Sequence, residues 1–179
     1  LFLLTALMWL FFRDAPSLDE RHRNGALPRP GEVNHAPAQP FVLAIALSVP
    51  YVICGFTDLG LISTHFVPLA EGRGISPSVI AWALAVIATV NLGSNLITGH
   101  LADRVSLTTL LSVMYLWRAF SLAFLMTAGD PTSILLFAAI NGMVDAATIA
   151  PTAALCAQLY GHGKIGTAYG LLSAAHQFG

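Results

Sequence analysis

Long apolar stretches alternate with short polar breaks along this chain. The complete stretches cover residues 41–69, 77–102, 107–128 and 132–160, and partial ones cover 1–12 and 165–179. A transmembrane helix needs about 20 mostly apolar residues, and no stretch shows the strict alternation of a barrel strand. The pattern predicts an all-α, polytopic transmembrane helical bundle. Its first and last helices are partial, as in a fragment of a longer protein.

One polar segment, residues 13–39, separates the first two apolar stretches. It carries 8 of the charged residues and four prolines, without apolar periodicity, which is typical of a flexible aqueous linker. Because successive helices alternate in direction, this linker shares a side of the membrane with the loops at 103–106 and 161–164. That side holds six basic residues and the opposite side only Arg73, so the linker is predicted to be cytoplasmic.

Composition agrees with a bilayer as the solvent. Hydrophobic residues make up 56% of the chain and charged residues 9%, whereas soluble domains carry about 25% charged residues. A net charge of −1 leaves no basic patch for nucleic acid. Cys54 and Cys156 lie inside apolar stretches without metal-ligand spacing, so no metal and no cofactor is expected.

The sequence Gly-His-Leu-Ala-Asp-Arg at 99–104 lies between two apolar stretches. Asp103 and Arg104 are expected in a tight turn between antiparallel helices, with Gly99 admitting a close neighbouring helix. Asp103 is expected to accept hydrogen bonds from a helix N-terminus or to pair with an arginine. The alternative is a solvated turn with one positive charge on the cytoplasmic side.

This hexapeptide resembles the G-x-L-A-D-R loop of the major facilitator superfamily, which follows the second helix of each six-helix half. The resemblance implies that the chain is the second half of such a transporter. Residues 1–12 would end helix 6, 13–39 would be the central loop, and 40–179 would form the C-terminal bundle. The N-terminal six-helix half would lie outside this fragment. The family's basic residues after the loop are replaced here by Val105-Ser106-Leu107.

Four further stretches, at residues 56–70, 115–121, 141–152 and 175–179, are similar to a bacterial branch near the monocarboxylate transporters. That resemblance implies a small organic anion as substrate and a bacterial inner membrane as location.

Three charged residues fall inside apolar stretches: Asp58, Arg118 and Asp145. Each costs on the order of 2.5–3.5 kcal/mol at the centre of a membrane helix, so each is a functional candidate unless pairing explains it. For Arg118 we expect a structural pair with Asp145, and the alternative is binding of a substrate anion.

Proton coupling through Asp58 is the functional hypothesis, with His65 as an outer relay. The two residues are seven apart, so in an α-helix they would share a face at a separation of about 10 Å. Alternatively, His65 lies at the headgroup level and Asp58 hydrogen-bonds across helices.

Polar pairs at helical spacing accompany these charges. Asn141 and Asp145 are four apart, and so are Asn91 and Asn95. The resemblance to the superfamily implies a central cavity between the helices, and both pairs are predicted either to line it or to join helices by hydrogen bonds. His176 and Gln177 are expected to line the same cavity from the partial stretch at 165–179, which would be helix 11 of the family fold.

Together these features predict a secondary active transporter that moves a small solute through the lipid bilayer by alternating access, with proton coupling as a hypothesis. The alternative is a non-transporting membrane sensor or scaffold with the same fold. An embedded enzyme has no support, because the chain contains neither H-E-x-x-H nor G-x-S-x-G.

Overall fold

The computed structural model describes residues 40–160 and 165–178, with side chains from residue 47 onward. Throughout these residues the chain forms helices and turns and no strand, so the all-α prediction is confirmed. Segments Leu47–Gly72, Pro77–Ala102 and Leu107–Thr127 are long and apolar enough to cross a membrane. The predictions for residues 1–12, for the linker at 13–39 and for the loop at 161–164 lie outside the described residues.

The first three helical segments are continuous along the chain and form one rod, residues 40–72, which is called the first rod below. Its helical form changes along its length. Helix α1 (Pro40–Gly55) passes into a π-helix (Phe56–Ser63), which continues into α2 (Thr64–Gly72). Where the π-helix ends, two main-chain carbonyls accept hydrogen bonds from side chains. The hydroxyls of Ser63 and Thr64 donate to the carbonyls of Asp58 and Leu59 at 2.9 and 2.8 Å. Such π segments often mark functional sites.

Two unbroken helices follow, α3 (Pro77–Ala102) and α4 (Leu107–Thr127). Pro77 opens α3, where its missing N–H costs nothing. The hydroxyl of Ser106 accepts from the amide of Thr109 and caps α4. At the other end of α4, where the helical hydrogen bonds end, Arg73 donates to the carbonyls of Leu125, Met126 and Ala128.

The apolar stretch at 132–160 is not one helix, contrary to expectation. It forms α5 (Pro131–Gly142) and α6 (Ile149–Tyr160), separated by a turn segment at residues 143–148. Pro151 lies just inside α6 and has no N–H to give to the preceding turn. Helix α7 (Ile165–Gln177) completes the described residues.

Asp130 caps the N-terminus of α5. Its carboxylate accepts from the amides of Thr132 and Ser133, at 2.9 and 3.2 Å, in a capping box with Ser133. These hydrogen bonds, first of all from the Ser133 side chain, lower the pKa of Asp130 below its usual value.

Two large apolar clusters hold the helices together, with a smaller third cluster between α4 and the α5–α6 turn segment. One gathers residues of α2, α3, α5 and the end of α4, including Phe66, Ile80 and Phe137. The other gathers residues of α1, α4, α6 and α7, including Tyr115 and Leu155. The first rod and α4 each contribute residues to both clusters, whereas α5 contributes to the first cluster and α6 to the second. The polar residues described below lie between the two.

Large apolar side chains also cover the outer surface. Trp82, Leu96 and Met126 are 68%, 74% and 74% exposed. Exposed apolar area on this scale is unfavourable in water, and it is expected of helices whose solvent is lipid. The chain is therefore an integral membrane protein.

Glycine permits close packing at two places. Gly142 lies against α3, where a Cβ would come 2.8 Å from the carbonyl oxygen of Ile87 and 3.0 Å from Cβ of Val90. At Gly55, a Cβ would overlap the carbonyl oxygen of His176 on α7. Gly99, in contrast, was expected to admit a neighbour, but a Cβ there would meet nothing within 4 Å in the described part of the chain.

Gly142→Ala should therefore destabilise the bundle by about 1–3 kcal/mol, because the added methyl forces α5 away from α3. Gly93→Ala is the matched control, since a Cβ at Gly93 meets nothing within 4 Å among the described residues and alanine favours a helix. Thermal unfolding of the two purified variants in detergent measures the difference. Equal melting temperatures would show that the α3–α5 contact tolerates a methyl group.

Candidate functional site

Arg118 is the centre of a polar cluster inside the bundle. Its side chain, on α4, is 1% exposed. Nη1 forms an ion pair with Oδ1 of Asp58 in the π-helix and lies 3.3 Å from Oγ1 of Thr57. Nη2 donates to the carbonyls of Val144 and Asp145 at 2.7 and 2.6 Å. The guanidinium thus joins the first rod, α4 and the α5–α6 turn.

The ionic partner of Arg118 is Asp58, not Asp145 as expected. Asp145 contributes its main-chain carbonyl instead of its carboxylate. Because the helix is interrupted around Asp145, the carbonyls of Val144 and Asp145 are available to accept from Arg118. A planar guanidinium with several donors can bind both carbonyls and a carboxylate at once. The expected pairing was wrong because it assumed an unbroken helix.

The Asp145 carboxylate faces α3. Its Oδ2 accepts from Nδ2 of Asn91 at 3.2 Å. Asn91 is held by Asn95, whose Nδ2 donates to the side-chain and main-chain oxygens of Asn91 at 2.6 and 2.9 Å. Ser94 donates to the carbonyl of Met143 in the same turn. The two asparagines therefore connect α3 to the interrupted segment.

Asn141 and Asp145 do not share a helix face, contrary to expectation. The interruption begins after Gly142, so Asn141 points to α4, where its Oδ1 accepts from the hydroxyl of Ser121 at 3.2 Å. Asn141 is 1% exposed, and its Nδ2 has no partner among the described residues.

His65 is not beside Asp58 on one helix face. The π-helix between them turns more widely than an α-helix, so a spacing of seven residues does not return to the same side. His65 is exposed, and in the described structure no hydrogen bond joins it to Asp58. The expected relay through His65 therefore has no support in the geometry.

A third group of side chains was missed by the sequence reasoning. Sγ of Cys54, one turn before Asp58, lies 3.7 Å from Oδ2 of Asp58, and a nitrogen of His176 on α7 completes a group within 4.8 Å. The spacing of Cys54 and Asp58 was the available signal, but His176 is far away in sequence. Gln177, expected to line the cavity beside His176, is exposed at the end of α7.

The 99–104 motif lies apart from this cluster. Residues 103–106 form a tight turn, in which the amides of Arg104 and Val105 donate to the carbonyl of Leu101 at 2.9 Å. Asp103 and Arg104 are exposed. The N-terminus of α4 is capped by Ser106, not by Asp103. Of the roles considered, the solvated turn is the one seen within the described residues.

These features define a polytopic helical membrane protein with a buried ionic cluster inside its spanning segments. The sequence model of the Major Facilitator Superfamily matches residues 51–179, and the chain belongs to this superfamily. Membership places it among the secondary transporters, which are generally not enzymes. Searches of curated proteins and of solved structures gave no match.

Proposed function

We propose that this protein moves a small organic anion, such as a monocarboxylate, across the membrane together with a proton by alternating access. The observation that carries the proposal is the buried ion pair between Asp58 and Arg118. Arginine binds carboxylates through two parallel hydrogen bonds. A carboxylate substrate and Asp58 can therefore compete for the same guanidinium.

The charges around Arg118 favour uptake of one proton. The titratable groups around Asp58 are Arg118 on α4, Cys54 on α1, His176 on α7 and Asp145 in the α5–α6 turn. With neutral thiol and imidazole, the cluster contains one guanidinium and two carboxylates, those of Asp58 and of Asp145, which is bound by Asn91, and its formal charge is −1. Because net charge is unfavourable inside a membrane, one proton on the cluster offsets the excess.

Proton and anion can then travel together. Protonation of Asp58 weakens its ion pair and frees Nη1 of Arg118 for the substrate carboxylate. The arriving anion restores a negative partner for the arginine, so the number of charges at the site is unchanged. An anion without a proton would change the formal charge of the cluster from −1 to −2, whereas the two together leave it at −1. This is a physical basis for coupled movement.

Two segments of irregular backbone lie at the proposed site. Asp58 lies in the π-helix and Arg118 binds the turn between α5 and α6, so both irregular segments meet at the ion pair. Irregular backbone within a membrane is tolerated where it is buried in protein or lines a cavity, as in the broken helices of transporters. The protein is proposed to lie in a bacterial inner membrane, with the linker at 13–39 on the cytoplasmic side.

Uptake by the complete transporter in liposomes tests this function. We expect labelled lactate or acetate to accumulate several-fold faster with an inward proton gradient than without one, and a protonophore to remove the difference. Liposomes without protein are the control, because uncharged acids cross bilayers unaided. Uptake that ignores the gradient would contradict proton coupling. No uptake of any tested acid would contradict the organic-anion proposal and favour a sensor or scaffold.

A further inference from the structure

We propose that Cys54, Asp58 and His176 form a binding site for a divalent transition-metal ion such as Zn²⁺ or Co²⁺. The thiol, carboxylate and imidazole come from α1, the π-helix and α7, and their ligand atoms all lie within 4.8 Å of one another. Such sulfur and nitrogen ligands suit borderline-soft ions of this kind. The inference does not rest on the proposed transport function.

The distances are close to those of a coordinated ion. Ligands bind Zn²⁺ at about 2.0–2.3 Å, so neighbouring ligand atoms in a tetrahedral site are about 3.3–3.8 Å apart. Sγ of Cys54 and Oδ2 of Asp58 are already 3.7 Å apart. The other separations are at most 4.8 Å, so an inward movement of His176 by about an ångström would bring it to a common ion, with a water molecule in the fourth position.

Packing brings the imidazole to the other two ligands. Gly55 follows Cys54, and the lack of a side chain lets α1 approach the backbone of α7 at His176. The ring of His176 also packs on the ring of Tyr51, with the centroids 4.5 Å apart. These contacts bring the imidazole close to a thiol and a carboxylate that lie one turn apart.

The two oxygens of Asp58 have separate partners. Oδ1 is held by Arg118, whereas Oδ2 is directed toward Cys54, so an ion can be bound without breaking the ion pair. Metal binding takes the proton from the Cys54 thiol and releases it to solvent. The bound dication then balances the thiolate and the excess carboxylate of the cluster. Its formal charge changes from −1 to zero, which the membrane interior favours.

Cobalt absorption tests the site in the purified complete transporter. Titration with Co²⁺ alone should give a thiolate-to-cobalt charge-transfer band and the strong visible bands of a four-coordinate ion, both removed by excess Zn²⁺. Cys54→Ser should abolish the charge-transfer band. Cys156→Ser is the matched control, because this second buried cysteine lies on α6 outside the group, and it should leave the band intact.

His176→Asn provides an independent check that keeps the thiol. It should weaken Co²⁺ binding at least about tenfold, since it removes one ligand. Absence of a charge-transfer band in the wild type would overturn the proposal. So would a band that survives Cys54→Ser, or an affinity for Co²⁺ that His176→Asn leaves unchanged. Each variant is compared after size-exclusion chromatography, so that only folded protein is titrated.

Discussion

Asp58→Asn is expected to abolish proton-driven uptake by the complete transporter in liposomes. Asparagine has almost the shape of aspartate, but it cannot exchange a proton and carries no charge to pair with Arg118. The expected effect is loss of the acceleration by an inward proton gradient, with initial rates falling to the level measured without a gradient. Labelled lactate uptake at two external pH values measures it.

Asp130→Asn is the matched control for this experiment. It makes the same chemical change at the exposed N-terminus of α5, where asparagine also caps a helix well. Gradient-driven uptake should therefore be retained. If a folded Asp58→Asn transporter kept its full response to the gradient, Asp58 would be a structural partner of Arg118 and not the proton site.

Arg118→Gln is expected to cost about 3–5 kcal/mol of stability, the largest effect predicted here. Removal of one partner leaves the other charge of a buried pair uncompensated. In this protein the loss would also deprive the carbonyls of Val144 and Asp145 of a donor. Arg118→Lys should rescue little, because an ammonium group cannot reproduce the planar fork of a guanidinium. Thermal unfolding in detergent measures both variants.

A double-mutant cycle separates the ion pair from the other contacts of Arg118. Combining Arg118→Gln with Asp58→Asn replaces the charged pair by a neutral one and should recover part of the lost stability. Arg104→Gln, at an exposed arginine, should change stability by less than about 0.5 kcal/mol. A double variant no more stable than Arg118→Gln alone would show that the two charges are not energetically coupled.

The candidate residues for this cluster could be found from sequence because charges are expensive in a membrane. Asp58, Arg118 and Asp145 stand out in apolar stretches without any knowledge of their neighbours. Their partners could not be found in the same way. Which side chains meet depends on the rotation of each helix about its axis, and that rotation is fixed by packing against several other helices.

Irregular backbone explains the particular errors. The π-helix at Phe56–Ser63 turned Asp58 away from the face that regular spacing assigns to His65. The turn at 143–148 freed the carbonyls that Arg118 binds and separated Asn141 from Asp145. Pro151 was a visible signal of a bend, but it did not indicate that the helix would be interrupted before it.

The sequence by itself determined the helical class, the bilayer as solvent and membership of the superfamily. These properties depend on apolar stretches long enough to cross a membrane and on a sequence pattern that extends over residues 51–179, both of which can be read without a third dimension. Only the tertiary structure decided that Asp58 pairs with Arg118 and that His176 joins Cys54. Those contacts bring together residues far apart in the chain, and they exist because Gly55 and the two irregular segments let the helices approach in one particular arrangement.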